Sequence, residues 1–450
     1  MLVLKFGGTS VGIPAHAERA LDIVCARLAH EPVVVVSALS GVTNTLVELC
    51  RAGVSRELLL ATLRERHMTH ARALGVDASV VEPLLVELCA DPALARDEAL
   101  QRAERDRVLA FGERLAAALF AAALVARGVP AHAVHAGEAG LVTDDRFGQA
   151  HPLPEAPARL RAGLDTKRGV AVVTGFIGST ADGRTTTLGR GGSDYSAAYI
   201  GAALGAREIQ IWTDTSGMLS ADPRVVPEAR PVPRLSFAEA CELAYFGAKV
   251  LHPKTLLPAM ERGIAVRILN TARPDDPGSL ITADAEASTE GWRVKSIASK
   301  QGITAVTIAS TRMLLAHGFL ARVFEVFGRH HVVVDMVTTS EVSISVTVDD
   351  TSRLTDALAE LEAIGRVEVR TGLAVVAVVG EGAPTQVGLA GHVFTLLGGV
   401  GVPVEMISQG ASRVNLSFVV REEEADRVVR LLHRGLGLDA EALSGTRSEP

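Results

Sequence analysis

Leu2-Val3-Leu4-Lys5-Phe6-Gly7-Gly8-Thr9-Ser10, at the start of the chain, is the stretch from which the fold class is read. A short apolar run stopped by a glycine pair reads as a buried strand feeding a loop. Val33–Ser37 repeats the pattern and is followed by Ser40-Gly41, while Ala15–His30 between the two runs has apolar residues at helical spacing. Strand, helix, strand with loops at the strand ends is the opening of an open α/β sheet. Residues 55–128 read as almost wholly helical, punctuated by Gly75 and Asp91-Pro92. Val170–Thr174 and Glu208–Thr213 read as further strands, the first apolar throughout and so central. A helix over Ser193–Leu204, stopped by Gly205, separates them, and a second βαβ unit follows. One α/β domain is therefore predicted over residues 1–285.

Composition narrows the function classes. Of 450 residues, 48% are apolar and 22% charged, so a large core can form. Aromatics are only 4% while glycines number 42, which suits Ala/Val/Leu-packed layers joined by glycine-rich functional loops. A net charge of −7 without basic runs argues against nucleic acid as a partner. Cys25, Cys50, Cys89 and Cys241 form no CxxC pair, so neither a zinc site nor a disulfide framework is expected, and a reducing cytoplasm is the natural setting. Lys5 and the glycines interrupt the N-terminus before a signal-peptide core could develop. The longest apolar run, Leu115–Ala126, is too short to span a bilayer and reads as a core helix, so no membrane association is expected.

After a stretch rich in Pro, Asp and Gly (Arg273 to Glu290), read as a linker, the chain repeats itself. Val323-Phe324, Gly328, Val332, Val334, Asp335 and Met336 recur 70 residues later as Val393-Phe394, Gly398, Val402, Val404, Glu405 and Met406, and Gly318 recurs as Gly388. Each copy reads as a ferredoxin-like βαββαβ module, giving predicted domains at 292–370 and 371–450.

The chemistry gathers at strand ends. In Lys5–Ser10 two glycines let the backbone approach a polyphosphate, Thr9 and Ser10 offer hydroxyls, and Lys5 offers a cation. Thr187-Leu188-Gly189-Arg190-Gly191-Gly192-Ser193-Asp194-Tyr195-Ser196 is denser and precedes a helix, whose N-terminus favours an anion, while Arg190 can clamp a carboxylate or phosphate. Ser37–Asn44, Trp212–Gly217 with Asp222-Pro223-Arg224, and Phe246–Pro253 with Lys249 lie on other predicted loops. Ligands of open α/β sheets bind outside the carboxyl ends of the strands, so these loops can converge. Cations, hydroxyls and glycine N–H groups without an obvious nucleophile or metal-ligand set suit phosphoryl transfer. Neither a P-loop nor a dinucleotide fingerprint is present. His67-x-x-His70 is expected on a solvated helix face, and Glu422-Glu423-Glu424 as the acidic first turn of a helix.

Taken together, these segments resemble an aspartate kinase of the amino acid kinase family. Lys5–Ser10, Ser40–Asn44, Phe111-Gly112-Glu113, Arg146-Phe147-Gly148, Thr187–Ser196, Trp212–Asp214, Asp222–Arg224 and Phe246–Pro253 occur in the family's order, and the tandem repeat matches paired ACT domains. The likeness spans nearly the whole chain and is nearest the monofunctional, lysine-sensitive type. It implies a mainly parallel sheet with helices on both faces, followed by two ACT domains. The implied reaction is transfer of the ATP γ-phosphoryl group to the β-carboxylate of L-aspartate, with Mg²⁺ riding on the phosphates. Lys5 would hold the transferring group, oriented by Asp194, with Gly7, Gly8, Thr9 and Ser10 around the phosphates. Thr43, Glu113, Arg190, Gly191, Gly192 and Ser193 would hold aspartate. Thr213, Asp214, Arg224, Lys249 and Val250 would face the nucleotide. The resemblance also assigns Met313, Gly318, Phe319, Leu320, Val334, Asp335, Ser340 and Glu341 to a site for inhibitory L-lysine, and implies a homodimer or tetramer. The sequence departs from the pattern at Thr215-Ser216, where Val-Pro is usual, at Leu219, where an aromatic is common, and at Ala316, where a hydroxyl residue is usual. Rival readings are a kinase acting on glutamate, acetylglutamate or a nucleotide monophosphate, and a non-catalytic amino acid sensor.

Overall fold

The computed structural model describes residues 1–247, 251–283, 292–313, 317–409 and 413–439. Lys249, Val250 and Ala316 thus lie outside the described residues. The chain forms two compact units: Met1–Met218, Pro233–Phe237 and Lys249–Asp284 in the first, and Leu219–Val232, Ala238–Ala248 and Ala285–Pro450 in the second. The division is not a single cut near residue 285, because two short segments upstream of it cluster with the C-terminal residues.

The first unit carries strands β1 (Leu2–Phe6), β2 (Pro32–Val36), β3 (Ala131–Val134), β4 (Val170–Thr174), β7 (Glu208–Thr213), β8 (Arg234–Ser236), β9 (Ala265–Asn270) and β10 (Ser279–Thr282), with β5 (Ile177–Ser179) and β6 (Thr185–Thr187) as a separate hairpin. The eight-stranded sheet runs β3-β4-β2-β1-β7-β9-β10-β8, parallel except where β10 meets β9. β10 falls inside the stretch read as a linker; a strand of four residues among Pro, Gly and Asp carries too little pattern to stand out. The helices are α1 (Gly8–Val11), α2 (Pro14–Cys25), α3 (Val42–Leu49), α4 (Arg56–Ala73), α5 (Glu82–Cys89), α6 (Arg102–Ala126), α7 (Ala156–Gly163), α8 (Gly192–Leu204) and α10 (Leu257–Arg262); α9 (Phe237–Phe246) belongs mostly to the second unit.

Strand alternation gives β1 two buried faces. Leu2, Leu4 and Phe6 enter an apolar cluster with α6, where the Phe6 and Phe120 rings stack at 5.6 Å. Val3 and Lys5 point the other way, toward α8: Val3 packs beside Gly201, and Lys5 meets Asp194. Full burial of Leu4 or Phe6 contributes about 1.5–3 kcal/mol each. α6 is long and apolar enough to cross a membrane, yet 78% of its apolar window is buried within the fold, as befits a core helix. On α4, His67 and His70 are buried rather than solvated; His67 Nδ1 lies 2.7 Å from the Leu63 carbonyl oxygen, and burial pushes its pKa down to about 4.

The second unit holds β11 (Ser296–Ala309), α11 (Phe319–Arg329), β12 (Val337–Thr339), β13 (Ser343–Val348), α12 (Leu354–Leu361), β14 (Arg366–Val379), α13 (Leu389–Gly399), β15 (Met406–Ser408), β16 (Asn415–Arg421) and α14 (Ala425–Gly435). Its six-stranded sheet runs β12-β13-β11-β14-β16-β15. The two modules are not laid end to end. The outer strand of the second, next to β14, is the first part of β11, where Ser296–Lys300 pairs with Val375–Val379, so the chain begins the second module before it builds the first. The pairing also maps onto itself under the 70-residue repeat. Lys300 faces Val375 and Arg370 faces Ala305; Ile297 faces Val378 and Val367 faces Ile308. Each module has its own apolar core, one around Phe319, Phe327 and Leu361, the other around Val393, Phe418 and Leu432.

Candidate active site

Lys5 is the next-to-last residue of β1, with β2 on one side and β7 on the other, where successive strands lead to opposite sides of the sheet. This reversal opens a crevice at the strands' carboxyl ends. Gly8 makes the crevice tight: a Cβ there would lie 2.9 Å from the Ala38 carbonyl oxygen, so only glycine lets the turn after β1 press against the turn after β2. From the other face α8 is entered through its N-cap Gly191, whose φ of 71° is left-handed. Asp194 in its first turn then reaches Lys5, with Nζ 2.5 Å from Oδ1 and both side chains largely buried.

A cavity of about 430 Å³ results, lined by Lys5, Gly8, Ser37–Gly41, Thr43, Asn44, Glu113, Phe176 and Gly189–Asp194. The structure therefore collects in one place Lys5, Gly8, Asp194, Thr43, Glu113, Arg190, Gly191, Gly192 and Ser193, nine residues that sequence reasoning drew from four separate segments. Glu113 is the most constrained. It sits on α6, fully buried, and its Oε1 accepts a hydrogen bond from the Ala38 N–H at 3.1 Å. Its Oε2 is buried without a hydrogen-bond partner. Burial pushes the Glu113 pKa up to about 8, against the smaller opposing effects of that hydrogen bond and the nearby Lys5 charge. A buried carboxylate oxygen without a partner, opening on a cavity, is a place for a cationic group. Arg190 is exposed at the rim and makes no hydrogen bond or ion pair with another described residue, so its guanidinium is available to an anion.

The phosphate-side residues divide. Gly7 N–H donates to the Trp212 carbonyl oxygen at 3.2 Å, tying the turn to the end of β7. Thr9 is exposed. Ser10 is buried; its hydroxyl donates to the same Trp212 carbonyl at 3.1 Å and lies 2.7 Å from Thr271 Oγ1, so it braces the turn from beneath. Thr213 ends β7 and Asp214 follows it, away from the cavity lining. The Thr213 hydroxyl donates to Asp214 at 3.1 Å, and Asn270 Nδ2 bonds Ser216 Oγ at 3.0 Å, fixing this turn. Arg224 belongs to the second unit, where Asp222 holds its guanidinium and raises its pKa. Among the described residues no group of three or more His, Cys, Asp or Glu could hold a metal ion.

Phe176 lines the cavity and escaped the sequence reading. Its φ of 65° is left-handed for a bulky residue, held by an N–H bond to Ser196 Oγ at 3.0 Å. Gly175 beside it, just after an apolar strand, is the only local sign.

Of the residues assigned to an effector, Met313, Phe319 and Val334 share the first module's apolar core, and Gly318, at φ 74°, caps α11. Leu320 is exposed. Ser340 closes the turn between β12 and β13, where its hydroxyl accepts the Ser343 N–H at 3.1 Å, and Glu341 beside it is exposed. Asp335 is the unusual one. Its carboxylate is buried and neither oxygen has a hydrogen-bond partner; burial, with Asp349 nearby, pushes its pKa up to about 7.

Fold and site define a class: an open α/β sheet presenting a lysine-centred crevice at its strand ends, joined to paired ferredoxin-like modules. A profile of the amino acid kinase family matches residues 1–270, and an ACT domain profile matches 306–363 and 376–436. The chain belongs to the amino acid kinase family, and within it to the aspartokinases. It is 39% identical to lysine-sensitive aspartokinase 3 of Escherichia coli, over 97% of this chain and 99% of that one. It is also 39% identical to aspartokinase 1 of Arabidopsis thaliana, over 96% and 79%. The solved E. coli aspartokinase III in complex with aspartate and ADP (R-state) superposes with a TM-score of 0.85 at 38% identity, covering 97% of this chain and 99% of that one. The same enzyme in complex with lysine and aspartate (T-state) gives 0.77, with equal coverage.

Proposed function

We propose that the protein is an aspartate kinase, transferring the γ-phosphoryl group of MgATP to the β-carboxylate of L-aspartate to give 4-phospho-L-aspartate and ADP. This is the first committed step toward lysine, threonine and methionine. The observation that carries the reading is Glu113: a buried carboxylate with one unsatisfied oxygen, opening on the cavity that also holds Lys5 and Arg190.

In this reading the α-ammonium of aspartate satisfies Glu113, Arg190 takes a carboxylate, and Thr43 with Gly191, Gly192 and Ser193 closes around the substrate. The β-carboxylate then points toward Lys5. It is ionised at neutral pH, so no base is needed to activate it. A β-carboxylate oxygen attacks the γ-phosphorus while the bond to the β–γ bridging oxygen breaks and ADP departs. Lys5, fixed by Asp194, neutralises charge gathering on the transferred group, and the turn at Gly7 and Gly8 lets phosphates approach the backbone. The nucleotide-facing roles are those the resemblance assigns, to Thr213, Asp214, Arg224, Lys249 and Val250. Mg²⁺, when bound, shields charge on the phosphates and is held through them. L-lysine acts as feedback effector, its ammonium answering Asp335 in the first ACT module, and the working form is a homodimer.

A substrate panel at fixed MgATP tests this. ADP formation is expected with L-aspartate and not with L-glutamate, N-acetylglutamate or a nucleoside monophosphate. Equal rates with L-glutamate would overturn the assignment.

A further inference from the structure

Lys300, on β11, stands among three groups of the second unit. Its ammonium lies 2.6 Å from Asp349 Oδ2, 3.9 Å from Asp335 Oδ2 and 4.3 Å from the centroid of the Tyr245 ring. Tyr245 is in the last turn of α9, and the chain just beyond it presses on the same strand: a Cβ on Gly247, whose φ is 139°, would lie 2.6 Å from the Ser299 carbonyl oxygen. The end of α9 therefore meets β11 at two successive residues, Ser299 and Lys300. Lys249 follows Gly247 by two residues in the sequence.

The internal repeat supplies a comparison. Shifted by 70 residues, Lys300 becomes Arg370 and Asp335 becomes Glu405, and there the guanidinium closes directly on the carboxylate. Lys300 stops short of Asp335, at a distance beyond hydrogen bonding, and both Asp335 oxygens are left without a hydrogen bond. The strand register names the difference. Thr304 faces Val348 and Ala374 faces Val420, so the place of Asp349 is taken in the second module by Arg421. Asp349 and the Tyr245 ring hold Lys300 away from Asp335 in the first module, whereas in the second Arg370 closes on Glu405 and Glu368 stands farther off, at 3.8 Å.

We propose that Lys300 and Tyr245 are positioning residues that carry effector binding at Asp335 to helix α9. The inference rests on the reading of Asp335 as the group that answers an effector's ammonium. A second ammonium seated on Asp335 repels the Lys300 ammonium, which among the described residues is held by Asp349 and the Tyr245 ring. A shift of Lys300 is then felt at the last turn of α9. Lys300 differs in this from an ordinary surface lysine: its ammonium stands between a carboxylate without hydrogen bonds and the end of α9.

The experiment measures L-lysine binding by calorimetry and L-lysine inhibition of aspartate-dependent ADP release on the full chain. Tyr245→Leu and Lys300→Met are expected to bind L-lysine with an affinity comparable to wild type or better, while the concentration giving half inhibition rises about tenfold or more. Tyr245→Phe, which keeps the ring, is expected to retain the wild-type inhibition curve. Wild-type inhibition of both Tyr245→Leu and Lys300→Met overturns the coupling. Asp335→Asn separates the two claims. Undiminished L-lysine binding by that variant sinks the reading of Asp335, whereas lost binding together with normal inhibition of both Tyr245→Leu and Lys300→Met sinks the coupling alone.

Discussion

Lys5 on the first strand and Asp194 in the first turn of α8 form a largely buried ion pair, 2.5 Å apart, at the floor of the candidate active site. The pair fixes the ammonium where β1, β2 and α8 converge, and leaves it facing the cavity rather than solvent. Lys5→Ala is expected to abolish turnover while leaving L-lysine binding intact, because the residues proposed to hold the effector belong to the other unit. Asp194→Asn keeps the shape but removes the charge, and kcat should fall on the order of a hundredfold with little change in KM for aspartate. Steady-state kinetics of both variants, with calorimetry of L-lysine binding to Lys5→Ala, check this.

Glu113 gives a prediction with a sign. Its pKa is pushed from 4.5 up to about 8, so the folded protein keeps a proton that the unfolded chain gives up. Stability contributed by this group is present at low pH and declines as pH rises from about 4.5 to about 8. A bound ammonium favours the carboxylate, so aspartate binding near pH 7 should release a proton, seen as a dependence of binding heat on the buffer's ionisation enthalpy. Glu113→Gln should remove that dependence and raise KM for aspartate by about tenfold or more.

Gly8→Ala tests the approach of the two turns. The added methyl would stand 2.9 Å from the Ala38 carbonyl oxygen, and Ala38 N–H in turn holds Glu113. Displacing the Ala38 turn should therefore weaken aspartate binding as well as phosphoryl transfer. A fall in kcat/KM on the order of a hundredfold is expected, with a folded protein by circular dichroism.

Asp335 predicts how inhibition follows pH. Burial and Asp349 raise its pKa from 3.8 to about 7, so the carboxylate that attracts an ammonium forms only as pH rises through about 7. Inhibition by L-lysine should be weaker at pH 6 than at pH 8, in curves measured at saturating substrates. The same shift means that the effector-free protein loses stability between about pH 4 and pH 7, and Asp335→Asn should flatten that part of a Tm-against-pH profile.

The catalytic fold was readable because its signals are local. An apolar run ending in Gly7-Gly8 and a glycine-rich turn opening a helix at Gly191–Ser193 specify strand ends and a helix start without knowledge of partners. The repeat at 70 residues likewise announced paired modules. The partnership between modules was not readable: Ser296–Lys300 pairs with Val375–Val379, a choice made by long-range hydrogen bonding that no local pattern encodes. His67 and His70 failed for a related reason, since the charged residues of α4 hide a face that other helices bury. Within the site, the segments around Lys5, Glu113 and Arg190 were each visible, but only the fold shows that Glu113 has an empty hydrogen-bonding position. Phe176 left no mark beyond the neighbouring Gly175, because its left-handed backbone is imposed by residues distant in sequence, Ser196 and Gly192 among them.

The most direct measurement is a crystal structure of the protein grown with L-aspartate and MgADP. The aspartate ammonium should lie within hydrogen-bonding distance of Glu113 Oε2, a carboxylate should meet Arg190, and the β-carboxylate should face Lys5. Aspartate found outside the cavity, or seated with its ammonium away from Glu113, would contradict the account.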